Sequence, residues 1–240
     1  MGEKTACPEC GNEYEALGIH WSRSSCSAPE LTERQKEIVV GLLMGDGSLN
    51  RGSKNPLIQV KMISPNYLEY LDDIFGCLST GVTLVQTAAE SAKDCRDRGF
   101  RPNAAEENYS DKYLWNTRRL QELHEFNWYK TGKKVWPEWI PMTPTVLKHW
   151  YVGDGCFDNK NTSHHIQISM SDEIKNTDKV DNYFERMNLP TQSNYAISER
   201  KDGGKKCDAE FTRSASEELF EYMGEPLPDF EYKWPEEYRN

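Results

Sequence analysis

The sequence predicts an α+β fold in which an αββαββα unit occurs twice, after a small metal-binding module. The main observation is an internal repeat, because residues 45–62 (GDGSLNRGSKNPLIQVKM) align without a gap with residues 153–170 (GDGCFDNKNTSHHIQISM). Within the repeat, LIQVKMI and HIQISMS alternate in polarity as half-solvated antiparallel strands do. A repeat of this length is too long for a solenoid and predicts two similar units related by a pseudo-twofold axis.

The repeat sets the expected domain boundaries. We expect a zinc-finger-like module over residues 1–30, a first unit over 31–140 and a second unit over 141–240. Each unit is expected to open with an apolar helix, at 32–45 and 143–153, the first with Thr32 as N-cap and Gln35 in the capping-box position. Weaker matches extend the repeat outward and pair 67–78 with 177–189, 113–126 with 209–222, and 135–140 with 233–238.

The N-terminal segment CPECGNEYEALGIHWSRSSC combines three cysteines and a histidine. The pattern Cys7-x2-Cys10-x9-His20-x5-Cys26 supplies four ligands of the kind that bind tetrahedral zinc, although the second pair lacks a standard finger spacing. So short a segment has little apolar core, so we expect a structural Zn²⁺ to contribute much of its folding free energy. The alternative is an unstructured tail whose cysteines bind no metal.

Composition limits the class of protein. The chain has 240 residues, of which 37% are hydrophobic, and no apolar run approaches the roughly 18 residues that a membrane span requires. The N-terminus does not resemble a signal peptide, and seven cysteines form no disulfide framework, so we expect a cytoplasmic protein. A net charge of -10 argues against a nucleic-acid partner unless the basic residues are clustered.

The opening helices carry the strongest indication of chemistry. VVGLLMG is apolar on nearly every side, and Gly41 and Gly45 lie four residues apart, so a second backbone can approach this helix closely. If the two opening helices pack together, Asp46 and Asp154 lie side by side where the helices end. A carboxylate at a helix C-terminus is unfavourable unless a cation is present, so the pattern predicts a divalent-metal site.

The two segments VVGLLMGDG (39–47) and LKHWYVGDG (147–155) resemble the two copies of the signature of single-chain LAGLIDADG homing endonucleases. The resemblance covers about residues 32–240. It implies saddle-shaped antiparallel sheets packed through two central helices, and cleavage of both strands of duplex DNA with Mg²⁺. Asp46 and Asp154, with Gly45 and Gly153, would then hold the metal. His149, Trp150 and Tyr151 depart from the small residues of the signature and imply a less close or asymmetric helix contact.

The resemblance also implies roles for further polar residues. Gln59 and Gln167 would orient attacking waters, and the alternative is that they are base-facing strand positions. Lys133 and Lys134 would supply the basic residues near the metal, with Lys233 nearby in the second unit, and the alternative is an ordinary surface location.

In the resembled fold, the sheets contact the DNA major groove, and we expect the basic residues at loops, strands and hairpin tips to bind DNA. These residues are Arg51, Lys54, Lys61, Lys93, Arg96, Arg98, Arg101, Lys160, Arg200, Lys201, Lys205 and Lys206. The alternative is that they are solvated loop charges. The acidic surplus suggests a halophilic host, because the Debye length falls to about 3 Å near 1 M salt.

These observations favour a free-standing, monomeric, Mg²⁺-dependent DNA endonuclease, since no intein signature surrounds the repeats. The alternative function is an RNA maturase or a DNA-binding regulator on the same scaffold, in which the two aspartates are structural. A nuclease acting through the N-terminal module is disfavoured, because a Cys₃His set forms a closed structural zinc site.

Overall fold

The computed structural model describes residues 4–52, 54–130, 132–158, 165–170, 173–199 and 203–239. The chain divides into two compact units, one formed by residues 1–35 and 48–125 and the other by residues 36–47 and 126–240. Within the described ranges, no helix has the length and apolar character needed to cross a membrane.

The first unit contains two short N-terminal strands and a four-stranded antiparallel sheet with helices. Its strands are β1 (Thr5–Ala6), β2 (Glu13–Tyr14), β3 (Ser48–Asn50), β4 (Leu57–Met62), β5 (Ser79–Gln86) and β6 (Lys112–Thr117). Its helices are α1 (Leu17–Arg23), α3 (Pro65–Phe75) and α4 (Ala88–Asp97), and α2 (Glu33–Met44) begins in this unit and continues into the second. The sheet order is β3-β4-β6-β5.

The predicted opening helix is confirmed as α2, and its start follows the expected capping chemistry. The Thr32 N–H donates to Gln35 Oε1 at 2.9 Å, and the Gln35 N–H donates to Thr32 Oγ1 at 3.3 Å. These two bonds satisfy N–H groups that a helix start leaves without partners.

Alternation along β4 separates the two faces of the first sheet. Ile58 and Val60 are fully buried and share their face with Trp115 of β6, which packs edge-on against Phe75 of α3 with ring centroids 5.0 Å apart. Gln59 occupies the opposite face and is partly exposed. The sheet therefore has one face covered by α3 and one open, polar face.

The first unit departs from the predicted pattern between β5 and β6. We expected a hairpin tip at residues 93–101. Instead, helix α4 occupies most of this segment. Thr87 and Glu90 form a capping box at its start, which explains why the chain becomes helical here. After β6, a 3₁₀ segment (Gln121–Phe126) replaces the final helix of the predicted unit.

The second unit follows the predicted αββαββα order in its described residues. Two strands of two residues each, β7 (Tyr129–Lys130) and β8 (Lys133–Lys134), precede this order. The elements that follow are α5 (Pro144–Asp154), β9 (Gly155–Asp158), β10 (His165–Ser169), α6 (Thr177–Glu185), β11 (Asn194–Glu199), β12 (Lys205–Glu210) and α7 (Arg213–Met223). The antiparallel sheet has the order β11-β12-β10-β9. Ile166, Ile168 and Ala209 are buried on its covered face.

Candidate functional site

Helices α2 and α5 touch at Gly41, within the second unit. A Cβ atom on Gly41 would lie 2.6 Å from the carbonyl oxygen of Val146 and 2.7 Å from the Cβ of His149. His149 is only 2% exposed, so it belongs to this contact. The contact is therefore close and asymmetric, with histidine on α5 facing glycine on α2.

The bulky residues Trp150 and Tyr151 do not prevent this approach. Where Trp150 lies near the glycines of α2, the nearest atoms are its backbone nitrogen, 3.3 Å from a Cβ on Gly41, and its carbonyl oxygen, 3.4 Å from a Cβ on Gly45. The Trp150 ring packs edge-on against Trp136 at 5.3 Å, and the Tyr151 ring packs edge-on against Trp234 at 5.1 Å. Both side chains are fully buried. They contribute to the core of the unit.

A second glycine contact joins the ends of the two helices. A Cβ on Gly45 would lie 3.3 Å from the Cα of Gly153, and a Cβ on Gly153 would lie 2.9 Å from the backbone nitrogen of Asp46. Each glycine is followed directly by an acid of the signature, Asp46 or Asp154. The touching backbones thus bring the two acids to the same junction.

The glycine after each acid has a different role. The Gly47 N–H donates to the Leu42 carbonyl at 2.7 Å, and a Cβ on Gly47 would lie 2.6 Å from that oxygen. A Cβ on Gly155 would lie 2.5 Å from the carbonyl oxygen of Tyr151. The chain folds back against the last helical turn at both places. The first glycine of each motif allows the helices to meet, and the second allows the turn into β3 or β9.

Two lysines bind the carbonyl groups at these helix ends in matching ways. Lys134 Nζ donates to the carbonyls of Gly45 and Gly47 at 3.1 and 3.2 Å. Lys233 Nζ donates to the carbonyls of Val152 and Gly155, both at 2.7 Å. The negative ends of both helices therefore each receive an ammonium group.

Lys233 is the second-unit counterpart of Lys134, and this role is not evident from the sequence. The repeat of VWPEWI by KWPEEY aligns Lys233 with Val135, one position away from Lys134, so the correspondence was not apparent. The Tyr151 hydroxyl donates to the Lys233 carbonyl at 2.6 Å and fixes the backbone there. Lys133, the other lysine expected near the metal, is exposed on β8.

The charges at the junction influence each other. Asp46 keeps contact with solvent, yet partial burial raises its pKa, while the nearby Lys233 and Lys134 oppose that shift. Burial lowers the pKa of Lys233, and the charges of Asp46, Cys156 and Asp154 oppose that shift. The Asp46 carboxylate and the Lys233 ammonium thus each favour the charged form of the other.

Gln59 and Gln167 occupy equivalent positions on the open faces of their own sheets. Gln59 Nε2 donates to Asn116 Oδ1 at 3.1 Å, and Gln167 Nε2 donates to Glu210 Oε1 at 3.1 Å. The Cys156 thiol donates to Gln167 Oε1 at 3.7 Å. Each glutamine is therefore held by a neighbouring strand, in a position compatible with either predicted role.

The structure distributes the predicted DNA-binding residues over several elements. Arg51, Lys54 and Lys61 are exposed in and around β3 and β4, and Lys93, Arg96, Arg98 and Arg101 lie on or after α4. The Arg96 guanidinium donates to the Ala104 carbonyl, and Arg98 forms a 3.8 Å ion pair with Asp94. Lys205 and Lys206 lie on β12. Lys160, Arg200 and Lys201 lie outside the described residues.

The N-terminal cysteines and histidine converge on one point in the first unit. The ligand atoms of Cys7, Cys10, His20 and Cys26 all lie within 4.8 Å of one another. The Gly11 N–H donates to the Cys7 carbonyl at 2.8 Å, and Gly11 adopts a φ of +74°, so the turn after β1 needs glycine. In the described part of the chain, no other group of three or more His, Cys, Asp or Glu side chains clusters in this way.

The chemistry of this cluster fits a thiophilic cation. Burial opposes ionisation of Cys7, but the backbone N–H groups of Cys10 and Glu9 lower its pKa to about 6. Burial and the adjacent Cys10 sulfur raise the pKa of Cys26 to about 11. Thiolates so close together repel one another unless a metal neutralises them, and three sulfurs with one imidazole form a set typical of structural zinc.

Comparisons with known proteins agree with this architecture. The model of the LAGLIDADG DNA endonuclease family matches residues 36–189, more than half of the chain. No curated protein matches the chain. The homing endonuclease I-WcaI bound to its DNA recognition sequence has a similar structure, with a TM-score of 0.65 and 14% identity over 94% of this chain and 95% of that chain.

Two other solved structures are more distant. The N-terminal LAGLIDADG domain of DUF199/WhiA has a TM-score of 0.44 and 13% identity over 80% of this chain and 83% of that chain. I-DmoI in complex with DNA and Mn has a TM-score of 0.42 and 12% identity over 80% of this chain and 97% of that chain. The α+β architecture and the family match lead to one conclusion: the chain belongs to the LAGLIDADG DNA endonuclease family.

Proposed function

We propose that this protein is a free-standing, site-specific endonuclease that hydrolyses both strands of duplex DNA with a divalent cation, Mg²⁺. The observation that carries the proposal is the contact of Gly45 with Gly153, because it brings Asp46 and Asp154 to one junction. Two carboxylates beside negative helix ends are difficult to explain as structural elements alone. They are the hard oxygen ligands that Mg²⁺ prefers.

The residues present fit such a cation. Asp46 and Asp154 would hold it, with the carbonyls of Gly45 and Gly153 in the neighbouring backbone. Bound Mg²⁺ lowers the pKa of a water molecule and stabilises the leaving 3′ oxygen in phosphodiester hydrolysis. Asp46 keeps contact with solvent, so a hydrated cation could reach its carboxylate.

The chain's own residues would prepare the site for this cation and for the DNA phosphate. The glycines let the acids approach, and Lys134 and Lys233 hold the turns that carry them. The same ammonium groups place positive charge where a phosphate would bind. As the resemblance implies, Gln59 and Gln167 would orient attacking waters, and Lys133, which is exposed on β8, would contact a phosphate.

The open faces of the two sheets would contact the DNA, as the resemblance implies. Because both copies of the motif lie in one chain, a monomer contains both acids, and no second chain is needed. The N-terminal cluster of Cys7, Cys10, His20 and Cys26 would bind one structural Zn²⁺, which has no part in hydrolysis.

A second candidate function is a DNA-binding regulator or RNA maturase on the same scaffold. The observation that favours it is the pair of lysines at the helix ends, because two ammonium groups can balance two carboxylates without a metal. In that case the aspartates stabilise the junction and nucleic acid is bound but not cut.

Incubation with randomised duplex DNA and Mg²⁺, followed by sequencing of new ends, distinguishes the two functions. We expect staggered cuts with short 3′ overhangs. Asp46→Asn and Asp154→Asn should each reduce cleavage by at least about 100-fold, since each removes a metal ligand. The matched control is Asp73→Asn, which changes an exposed acid on α3 and should cut normally. Binding without cutting in Mg²⁺, Mn²⁺ and high salt would instead support the regulator or maturase.

A further inference from the structure

The strand registers show which side chains occupy the open face of each sheet. In the first unit, the open face of β3, β4 and β6 carries Ser48, Asn50, Leu57, Gln59, Lys61, Lys112, Leu114 and Asn116. In the second unit, the open face of β9, β10 and β12 carries Cys156, Asp158, His165, Gln167, Ser169, Lys206, Asp208 and Glu210. The first set contains two lysines and no acid, whereas the second contains three acids and one lysine.

Among the three acids of the second open face, Glu210 has a carboxylate whose two oxygens both accept hydrogen bonds from side-chain amides. Its Oε1 accepts from Gln167 Nε2 at 3.1 Å, and its Oε2 accepts from Asn194 Nδ2 at 3.0 Å. The carboxylate is therefore fixed between two strands with its orientation set by two amides. Each oxygen keeps a further lone pair and can accept one more hydrogen bond.

The equivalent position in the first unit is neutral. Gln59 pairs with Asn116 across the strands as Gln167 pairs with Glu210, so Asn116 stands where the second unit has Glu210. The same offset places Leu114 where the second unit has Asp208. Asp208 differs from Glu210 in its partner, because it forms a 2.7 Å ion pair with the Lys206 ammonium, whereas the two hydrogen bonds to Glu210 come from neutral amides. The two units therefore share a scaffold but differ in hydrogen-bonding character.

We infer that Glu210 is a specificity-determining residue that selects cytosine in the half-site contacted by the second sheet. The inference rests on the proposed function, in which the open faces contact DNA. In the major groove, cytosine presents its N4 amino group as a donor, whereas guanine presents N7 and O6, and thymine presents O4, as acceptors. A fixed carboxylate accepts a hydrogen bond from cytosine N4 and is repelled by the acceptor atoms of guanine and thymine.

Adenine is a poorer partner than cytosine for the same carboxylate. Its N6 amino group is a donor, but the adjacent N7 is an acceptor whose lone pair faces a second carboxylate oxygen. Because Glu210 is held by Gln167 and Asn194, it cannot easily rotate to avoid N7. A wrong base at this position should reduce binding by roughly 5- to 150-fold, the range for loss of one good base contact.

The test compares base preferences for wild type, Glu210→Gln and Asn116→Asp. Randomised duplexes are selected for binding, and in parallel the new ends are sequenced after cleavage. We expect cytosine at one position of one half-site for wild type. Glu210→Gln should shift that position towards adenine, because glutamine bonds both N6 and N7. Asn116→Asp should add a cytosine preference in the other half-site. Glu217→Gln, an exposed substitution on α7, should leave the profile unchanged.

The outcomes separate this inference from the proposed function. If wild type binds selectively but does not cut, endonuclease activity is excluded, and a cytosine preference that is lost in Glu210→Gln still supports the inference. If wild type cuts and Glu210→Gln leaves the base profile unaltered, the inference alone is overturned. If Glu210→Gln weakens binding equally for every base at every position, and Asn116→Asp adds no preference, Glu210 has a structural role. That result also overturns the inference. Failure of the wild type to bind duplex DNA overturns both.

Discussion

At the scale of single residues, the junction of α2 and α5 holds charges in places where charge is costly. Asp46 follows a helix C-terminus, and its surroundings raise its pKa. Lys233 is largely surrounded by protein, and burial lowers its pKa despite the neighbouring acids. Such arrangements are typical of functional sites, where stability is lost in exchange for reactivity.

Asp46→Asn should therefore raise thermal stability when no divalent cation is added. A raised carboxyl pKa means that the folded protein prefers the protonated form, so ionisation of Asp46 destabilises the fold at neutral pH. Because the side chain keeps solvent contact, we expect a gain below about 1 kcal/mol, or a Tm rise of up to about 2–4 °C. The gain should shrink as pH falls through the folded pKa towards the unfolded value.

Thermal unfolding of both proteins at neutral and acidic pH measures this difference. Asp73→Asn on α3 is the control and should change the Tm little at either pH. A lower Tm for Asp46→Asn at neutral pH would show that the carboxylate stabilises the junction through its lysine neighbours, which is the expectation for a purely structural acid.

At the scale of secondary-structure elements, close packing of α2 on α5 depends on glycine at Gly41. Gly41→Ala would place its Cβ 2.6 Å from a backbone oxygen of Val146, which cannot rotate away. The helices would have to separate, and overpacking of this kind costs about 1–3 kcal/mol. Gly18→Ala in α1 is the control, because no atom lies within 4 Å of its added Cβ and alanine favours a helix by up to about 1 kcal/mol.

A double-mutant cycle tests whether His149 is the complementary partner. His149→Gly removes the Cβ that the new methyl group would meet at 2.7 Å, so we expect the Gly41→Ala and His149→Gly effects on urea unfolding to differ from additivity by more than about 0.5 kcal/mol. Additive effects would show that the two residues do not oppose each other.

The helices and strands were predicted correctly where the local sequence patterns were strong. The prediction was wrong where the two units differ in structure. The opening helices and the second-unit order αββαββα followed from apolar periodicity and the repeat. Helix α4 was missed, although Thr87-x-x-Glu90 is a capping-box signal that the sequence contains. The repeat itself misled, because the second unit has a strand hairpin in this position and the first unit carries an inserted helix.

At the scale of the whole molecule, polar contacts join the N-terminal module, and the residue that directly follows it, to the rest of the first unit. Arg118 Nη2 donates to Thr5 Oγ1 at 3.3 Å, and the Leu31 N–H donates to Glu122 Oε2 at 2.8 Å. Within residues 4–26, Cys7 and Leu17 are the buried apolar side chains. The free energy of binding one metal ion can exceed the folding free energy that so small an apolar core provides.

We therefore predict one zinc per chain and local unfolding when it is removed. Elemental analysis should find stoichiometric zinc, which Cys7→Ser and Cys10→Ser should abolish and Cys95→Ser should not. Hydrogen exchange after chelation should show loss of protection over residues 4–26, whereas β9 to β12 should stay protected. A chain without stoichiometric zinc, or an N-terminal segment that keeps its protection after chelation, would show that the module folds without metal.

The sequence by itself determined the repeat, the paired opening helices, the two acids between glycines and the Cys₃His set. These depend on spacing and periodicity over short distances, where chain geometry leaves few alternatives. Only the tertiary structure decided that Lys134 and Lys233 bind equivalent turns, that histidine faces glycine across the helix contact, and that Glu210 lies on an open sheet face. Lys134 and Gly45 are 89 residues apart in sequence. A contact at such a distance depends on the packing of everything between, and no local pattern records it.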